Sequence, residues 1–206
     1  GGARLRNLGL LAALAMPALA WAALFEEYRL KRLKSFLDPW ADPFNEGFQL
    51  TQALIAVGRG EWFGVGLGAS VQKLFYLPEA HTDFIFPVIG EELGLLGTLV
   101  VLALFAFLAI AGIRIATRTR DPFVHFAAAG ITIWVSVQAV INIGMVLGLL
   151  PVIGIPLPLI SYGGSSLLVT LLAMGILINC AKTEPGAKRA LAAGRANRGR
   201  ARVLQR

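Results

Sequence analysis

Apolar residues in this chain of 206 residues are gathered into long blocks rather than spread in alternation with polar ones. The clearest block runs from Leu93 to Ile113, 21 residues without a charge. Three more accompany it: Leu8 to Phe25, holding only Pro17 as a kink; about Phe126 to Leu150; and about Ser165 to Ala181. Helices of these lengths, at about 1.5 Å per residue, cover roughly 25–38 Å, the scale of a hydrocarbon core. The pattern predicts an all-α, polytopic membrane helix bundle with four spans in this chain. Gln138 and Asn142 interrupt the third block four residues apart, so they share a helix face and are expected to bond to a neighbouring span.

Between the first two blocks lies a loop, residues 26–92, far longer than a connector needs. Asp38-Pro39 and Asp42-Pro43 are turn signals. Gly47 to Val57 reads as a short amphipathic helix with Gln49 and Gln52 on its polar face. Gly58, Gly60, Gly64, Gly66 and Gly68 follow, a run that no regular helix tolerates and that fits backbone wrapping closely against something. It lacks the Lys-Ser/Thr ending of a phosphate-binding loop and the preceding strand of a dinucleotide fingerprint. Leu30, Leu33 and Leu37 accompany Arg29, Lys31, Arg32 and Lys34 at helical spacing, either as a short helix on the membrane surface or as a solvated extension of the first span.

Charge adds direction. A hydrophobic share of 56% exceeds the roughly 45–50% of an ordinary soluble domain, and a pI near 10.2, which would suggest a nucleic-acid partner in a soluble protein, here reflects charges that separate along the chain. Four crossings place thirteen Lys/Arg and two acidic residues on one side, and six Lys/Arg with ten acidic residues on the other. The positive-inside rule therefore predicts both termini cytoplasmic and the 26–92 loop extracytoplasmic. Residues 182–206 are a basic, Ala/Gly/Arg-rich segment expected to be a disordered cytoplasmic tail drawn to anionic lipid. No aromatic or structured element accompanies that charge, which excludes a nucleic-acid partner. Cys180 is the single cysteine, so no disulfide forms within the chain.

The chemistry concentrates at Pro78-Glu-Ala-His-Thr-Asp83, immediately before the apolar Phe84-Ile-Phe86. A carboxylate at the lip of a membrane span is costly to keep there and is read first as functional. Partial desolvation would favour proton uptake by Asp83 and suit it to act as a general base. A helix N-cap is the competing role, which Thr82 would equally fill. In an extended segment Glu79, His81 and Asp83 fall on one face, a spacing compatible with a proton relay or a shared divalent cation. Arg59 and Lys73 are the only cations of the loop after Lys34, and Glu91 and Glu92 open the second span, where they cap or pair with a basic partner. Pro156, Pro158 and Ser161-Tyr-Gly-Gly-Ser-Ser166 suggest a re-entrant turn lining a cavity, with Ser165 as the alternative start of a helix.

These residues also carry a family resemblance. Ser35-Phe-Leu-Asp-Pro-Trp40, Gln49-Leu-Thr-Gln52, Gly58-Arg-Gly60, Gln72-Lys73, Leu77-Pro-Glu-Ala-His-Thr-Asp-Phe-Ile-Phe86, Gly90-Glu-Glu-Leu-Gly94, Asn142-Ile-Gly144 and Pro158-Leu-Ile-Ser-Tyr-Gly-Gly-Ser-Ser166 resemble the SEDS family (FtsW, RodA and SpoVE). Complete members have about ten spans, so the chain reads as the last four. Tyr76 to His81, Ile89-Gly-Glu91 and Ser165-Ser166 resemble the division type. Pro151-Val-Ile-Gly-Ile-Pro156 resembles the elongation (RodA) type instead, and lacks the Thr-Lys that division members carry before the glycine.

The resemblance implies a peptidoglycan glycosyltransferase of the bacterial inner membrane, working at the division septum. It would polymerise lipid II onto a glycan held on undecaprenyl pyrophosphate, beside a class B penicillin-binding transpeptidase and other divisome membrane proteins. Such chemistry needs a base, cations for the departing pyrophosphate and an apolar groove. Asp83 stands where the family's essential aspartate stands, with Glu79 and His81 as alternates. Arg59 and Lys73 are the pyrophosphate candidates, and Gln52, Thr82, Ser161, Tyr162 and Ser165 complete the expected substrate-binding set. No cofactor is required by this scheme beyond the divalent cation that the Glu79–His81–Asp83 spacing admits. An elongation-type polymerase, a lipid II flippase and a non-catalytic division scaffold are the rival readings.

Overall fold

A computed structural model describes residues 5–24, 31–32, 35–45, 47–75, 77 and 80–183. Among the described residues six helices of five residues or more are found: α1 (Leu5–Leu24), α2 (Phe48–Arg59), α3 (Val71–Phe75), α4 (Ile85–Arg118), α5 (Pro122–Val146) and α6 (Gly164–Ala181). Among the described residues all regular structure is helical, and α4, α5 and α6 are long and apolar enough to cross a membrane. Their flanks leave large apolar side chains uncovered, among them Leu104, Phe107 and Ile110 on α4 and Leu168, Leu171 and Leu172 on α6. Only an apolar surround can cover such surfaces. Gln138 and Asn142 both lie on α5. Of the surface helix expected around Leu30, Leu33 and Leu37, residues 31–32 and 35–37 are described and helical, whereas Leu30 and Leu33, like the tail from residue 184 onward, lie outside the described residues.

The chain divides into two compact units, Gly1–Leu99 with Val140–Leu157, and Val100–Ala139 with Pro158–Arg206. In the first, Asp38 and Asp42 act as the turn residues their Pro neighbours announce. Asp38 Oδ1 accepts from the Trp40 amide at 3.2 Å, and Asp42 Oδ1 from Asn45 Nδ2 at 2.9 Å. The Thr51 hydroxyl then donates to the Pro39 carbonyl at 3.1 Å and fastens α2 to that turn. α2 buries Leu50, Thr51, Ala53 and Ala56, a stripe at helical spacing.

The start of α4 differs from expectation. Helix begins at Ile85, so residues 85–92 belong to it rather than to the loop; Pro87 is accommodated because a first-turn amide has no partner to lose. At Gly94 the helix breaks, with φ 67° and ψ −163°, a conformation open in practice only to glycine. The glycine-rich segment fills the break with its own backbone. The amides of Val65 and Gly66 donate to the carbonyls of Glu91 and Glu92 at 2.9 and 3.1 Å. In return, the amides of Leu95 and Leu96 donate to the carbonyls of Glu61 and Trp62 at 2.8 and 3.3 Å. Four groups that a helix break would orphan are thereby satisfied.

α5 ends at Val146, four residues before the apolar block does. The amides of Leu149 and Leu150 both turn back to the Gly144 carbonyl, at 2.8 and 3.1 Å, and the chain leaves in a run without regular structure, residues 151–157.

In the second unit Asp121 caps α5, its Oδ1 accepting from the Phe123 amide at 2.8 Å, with Pro122 at the first helical position. Ala116, Ala128, Leu177 and Cys180 form a buried cluster joining α4, α5 and α6. Gly112 lets the helices approach closely, since a Cβ there would lie 2.1 Å from Thr132 Oγ1. Ser165 does not cap α6; the cap position is Gly163, in extended backbone without a side-chain bond.

Candidate active site

Asp83 sits in the turn 80–84 that leads into α4, half-buried between the exposed His81 and the buried Phe84. Apolar Phe84 and Phe86 sink into the first unit, at 2% and 1% exposure, and pull the turn against it. The segment 151–157 lies over this turn. A Cβ built on Gly154 would come 3.1 Å from Asp83 Oδ2, and Gly154 has φ +79°. The carboxylate therefore rests against a position that only glycine occupies without strain.

Two side chains hold the covering segment. Arg32 Nη1 donates to the Val152 carbonyl at 3.0 Å. From α5, Asn142 Nδ2 donates to the carbonyls of Asp83 at 2.8 Å and of Ile155 at 2.6 Å. Asn142 thus bonds to two loop backbones, not to a neighbouring span as expected. It is fully buried, and its Oδ1 has no hydrogen-bond partner among the described residues. Leaving such an acceptor unpaired costs roughly 1–3 kcal/mol.

A second cluster gathers the loop's cations. Glu91 is wholly buried, and Arg59 Nη1 lies 3.5 Å from its Oε1. Ser70 donates its hydroxyl to Glu91 Oε2 at 2.5 Å, and the Val71 amide donates to Oε1 at 3.3 Å. The Ser70 hydroxyl also accepts from the Lys73 amide at 3.1 Å, capping α3. Lys73 Nζ reaches Glu92 Oε1 at 3.1 Å. Arg59 and Lys73 are thus each paired with a carboxylate of α4, and Glu91 is bound by a cation, a hydroxyl and a backbone amide.

The remaining candidates are distributed as follows. Gln52 is half-buried on α2, Thr82 half-buried beside Asp83, and His81 exposed. Ser161, Tyr162 and Ser165 belong to the second unit, where Ser161 is buried and Tyr162 and Ser165 are exposed. Glu79, one of the three groups of the metal reading, lies outside the described residues. Among the described residues no group of three or more His, Cys, Asp or Glu is close enough to hold a metal ion. Sequence reasoning missed Arg32 and Gly154. Neither residue type signals a site, and the Pro151–Pro156 run stood out in the sequence only for its likeness to the elongation type.

Fold and site together define a multi-pass helical membrane protein with a carboxylate held in a polar turn at the head of a spanning helix. A profile of the FtsW/RodA/SpoVE family, described as "Cell cycle protein", matches residues 1–185, and the chain belongs to that family. It is 58% identical over 181 residues to the "Probable peptidoglycan glycosyltransferase FtsW" of Alkalilimnicola ehrlichii, covering 86% of this chain and 45% of that one. The protein of the same description from Methylococcus capsulatus is 62% identical over 154 residues, covering 73% and 39%. That from Legionella pneumophila is 52% identical over 180 residues, covering 86% and 46%. The chain spans about half the length of the curated relatives it matches. A solved structure described as "Structural coordination of polymerization and crosslinking by a peptidoglycan synthase complex" superposes with a TM-score of 0.64 at 30% identity, covering 85% of this chain and 48% of that one.

Proposed function

We propose that the full-length protein carrying this chain is a peptidoglycan glycosyltransferase that polymerises lipid II in the bacterial inner membrane, with Asp83 as its general base. The sugar hydroxyl of the acceptor attacks the anomeric carbon of the donor glycan. The bond from that carbon to undecaprenyl pyrophosphate breaks with inversion, and the hydroxyl proton passes to the Asp83 carboxylate. What supports the reading is the setting of Asp83 in a chain so similar to proteins named for this activity. Its carboxylate lies under Gly154, and its backbone is anchored by a fully buried side chain. A capping aspartate needs neither.

Arg59 has nearly half its side chain accessible, at 46%, so it can meet a pyrophosphate while paired with Glu91. Lys73, at 28%, is the second candidate. The likeness to a structure described by polymerisation and crosslinking favours a crosslinking transpeptidase as partner, and the FtsW relatives favour the division septum as the place of work.

The deciding experiment is Asp83→Asn in the full-length protein, assayed with purified lipid II. Loss of a general base should lower polymerisation by about 10²–10⁴-fold, with membrane level unchanged. A capping role, a flippase or a scaffold would tolerate the change, since Asn caps about as well as Asp. Near-normal glycan synthesis by the Asn variant refutes the assignment.

A further inference from the structure

We propose that Asn142 is the positioning residue for Asp83. Its amide holds the turn 80–84 and the segment 151–157 in a single register, and so fixes the line along which the Asp83 carboxylate points. The proposal rests on Asp83 being the group that receives the acceptor's proton.

Asn142 stands one turn before the end of α5 and is 0% exposed. Its neighbours Ile143, Met145 and Val146 are buried and apolar, so packing alone would favour a leucine there. Instead both hydrogens of one amide are spent on backbone carbonyls, Asp83 at 2.8 Å and Ile155 at 2.6 Å, positions 59 and 13 residues away. The orientation is forced. Reversing the amide would set its oxygen against two carbonyl oxygens. The cost of that orientation is visible at the other end, where Oδ1 is buried without a partner among the described residues. A polar side chain kept under those conditions serves the two carbonyls it joins.

What the join achieves is geometric. With both backbones tied to one nitrogen, Gly154 is brought against Asp83 Oδ2, where even a methyl group would come within 3.1 Å. A general base must lie within hydrogen-bond reach of the hydroxyl it deprotonates, and a misplacement of about 1 Å is worth roughly 100-fold in rate. In this scheme Asn142 touches no reacting atom and acts through the main chain of Asp83.

The test uses the full-length protein and purified lipid II. Asn142→Leu should lower kcat by roughly 10- to 100-fold, the range that misplacement of a catalytic group allows, with KM for lipid II little changed. Asn142→Asp keeps the shape. Ionised, it has no hydrogen for either carbonyl; protonated, it has one. Its kcat relative to wild type should therefore rise as the pH is lowered, whereas a new carboxylate that merely raised the proton affinity of Asp83 would make the ratio fall. A merely structural asparagine would change the amount of folded protein and leave that ratio flat. If the Leu variant is absent from the membrane, the Asp variant decides alone. Wild-type kcat in Asn142→Leu, or a flat or falling ratio in Asn142→Asp, overturns the proposal. Should Asp83→Asn retain polymerisation, the base assignment fails instead. If Asp83→Asn is inactive while the ratio is flat or falling, only the role of Asn142 falls.

Discussion

Gly154 exerts its influence by what it lacks. Its φ of +79° disfavours any side chain, and the space a side chain would take is held by the Asp83 carboxylate. Gly154→Ala should cost roughly 1–2 kcal/mol for the left-handed backbone. It should also push on the carboxylate, so polymerisation is expected to fall further than stability does. Thermal unfolding in detergent, set beside lipid II turnover, separates the two, and an alanine variant with full turnover would show the contact to be idle. At this scale the residue types revealed the acid itself and little of its support. Asp83 could be picked out because a carboxylate before an apolar run is conspicuous. Asn142 shared its visible features with Gln138 on the same helix. Nothing in the local sequence records that an amide will bond to carbonyls 59 and 13 residues away.

Helices were legible wherever composition changes sharply, and their interruptions were not. α6 nearly coincides with its apolar block, whereas α4 begins eight residues before the Leu93–Ile113 block. Gly94 looks like any glycine within an apolar run, and it becomes a break only because the Glu61–Gly66 backbone is there to take up the freed groups. The ion pairs beside that break raise a sharper question about Arg59, which compensates the buried Glu91 and is also a pyrophosphate candidate. Arg59→Ala alone should destabilise by about 1–3 kcal/mol, the cost of unpairing a buried group. In a Glu91→Gln background most of that stability loss should disappear. Polymerisation should stay low in the double variant if Arg59 also meets substrate, and should recover if its role ends at Glu91. Measuring both quantities in the three variants decides between these outcomes.

Across the whole molecule, the charge asymmetry makes its own claim. If, as the positive-inside rule predicts, the 26–92 loop is outside and both ends are inside, a reporter active only outside the cytoplasm should work when fused after Gly60 and stay silent after Arg120. Activity at Arg120 would overturn the four-span arrangement. The apolar blocks made the class of protein readable because hydrocarbon imposes length and composition on every span. Tertiary contacts made by backbone are invisible to such rules, and the loop joined to α4 at Gly94 is of that kind. That joint bears on how the protein can be rebuilt. Chimeras between relatives are usually cut where a loop meets a helix, yet here each side lends the other two hydrogen bonds. A graft taking the Gly58–Gly68 segment from one parent and the Glu91–Leu96 turn from another inherits both halves of a clasp cut to different patterns. The segment and the turn form a single cassette, and a chimera should move them together.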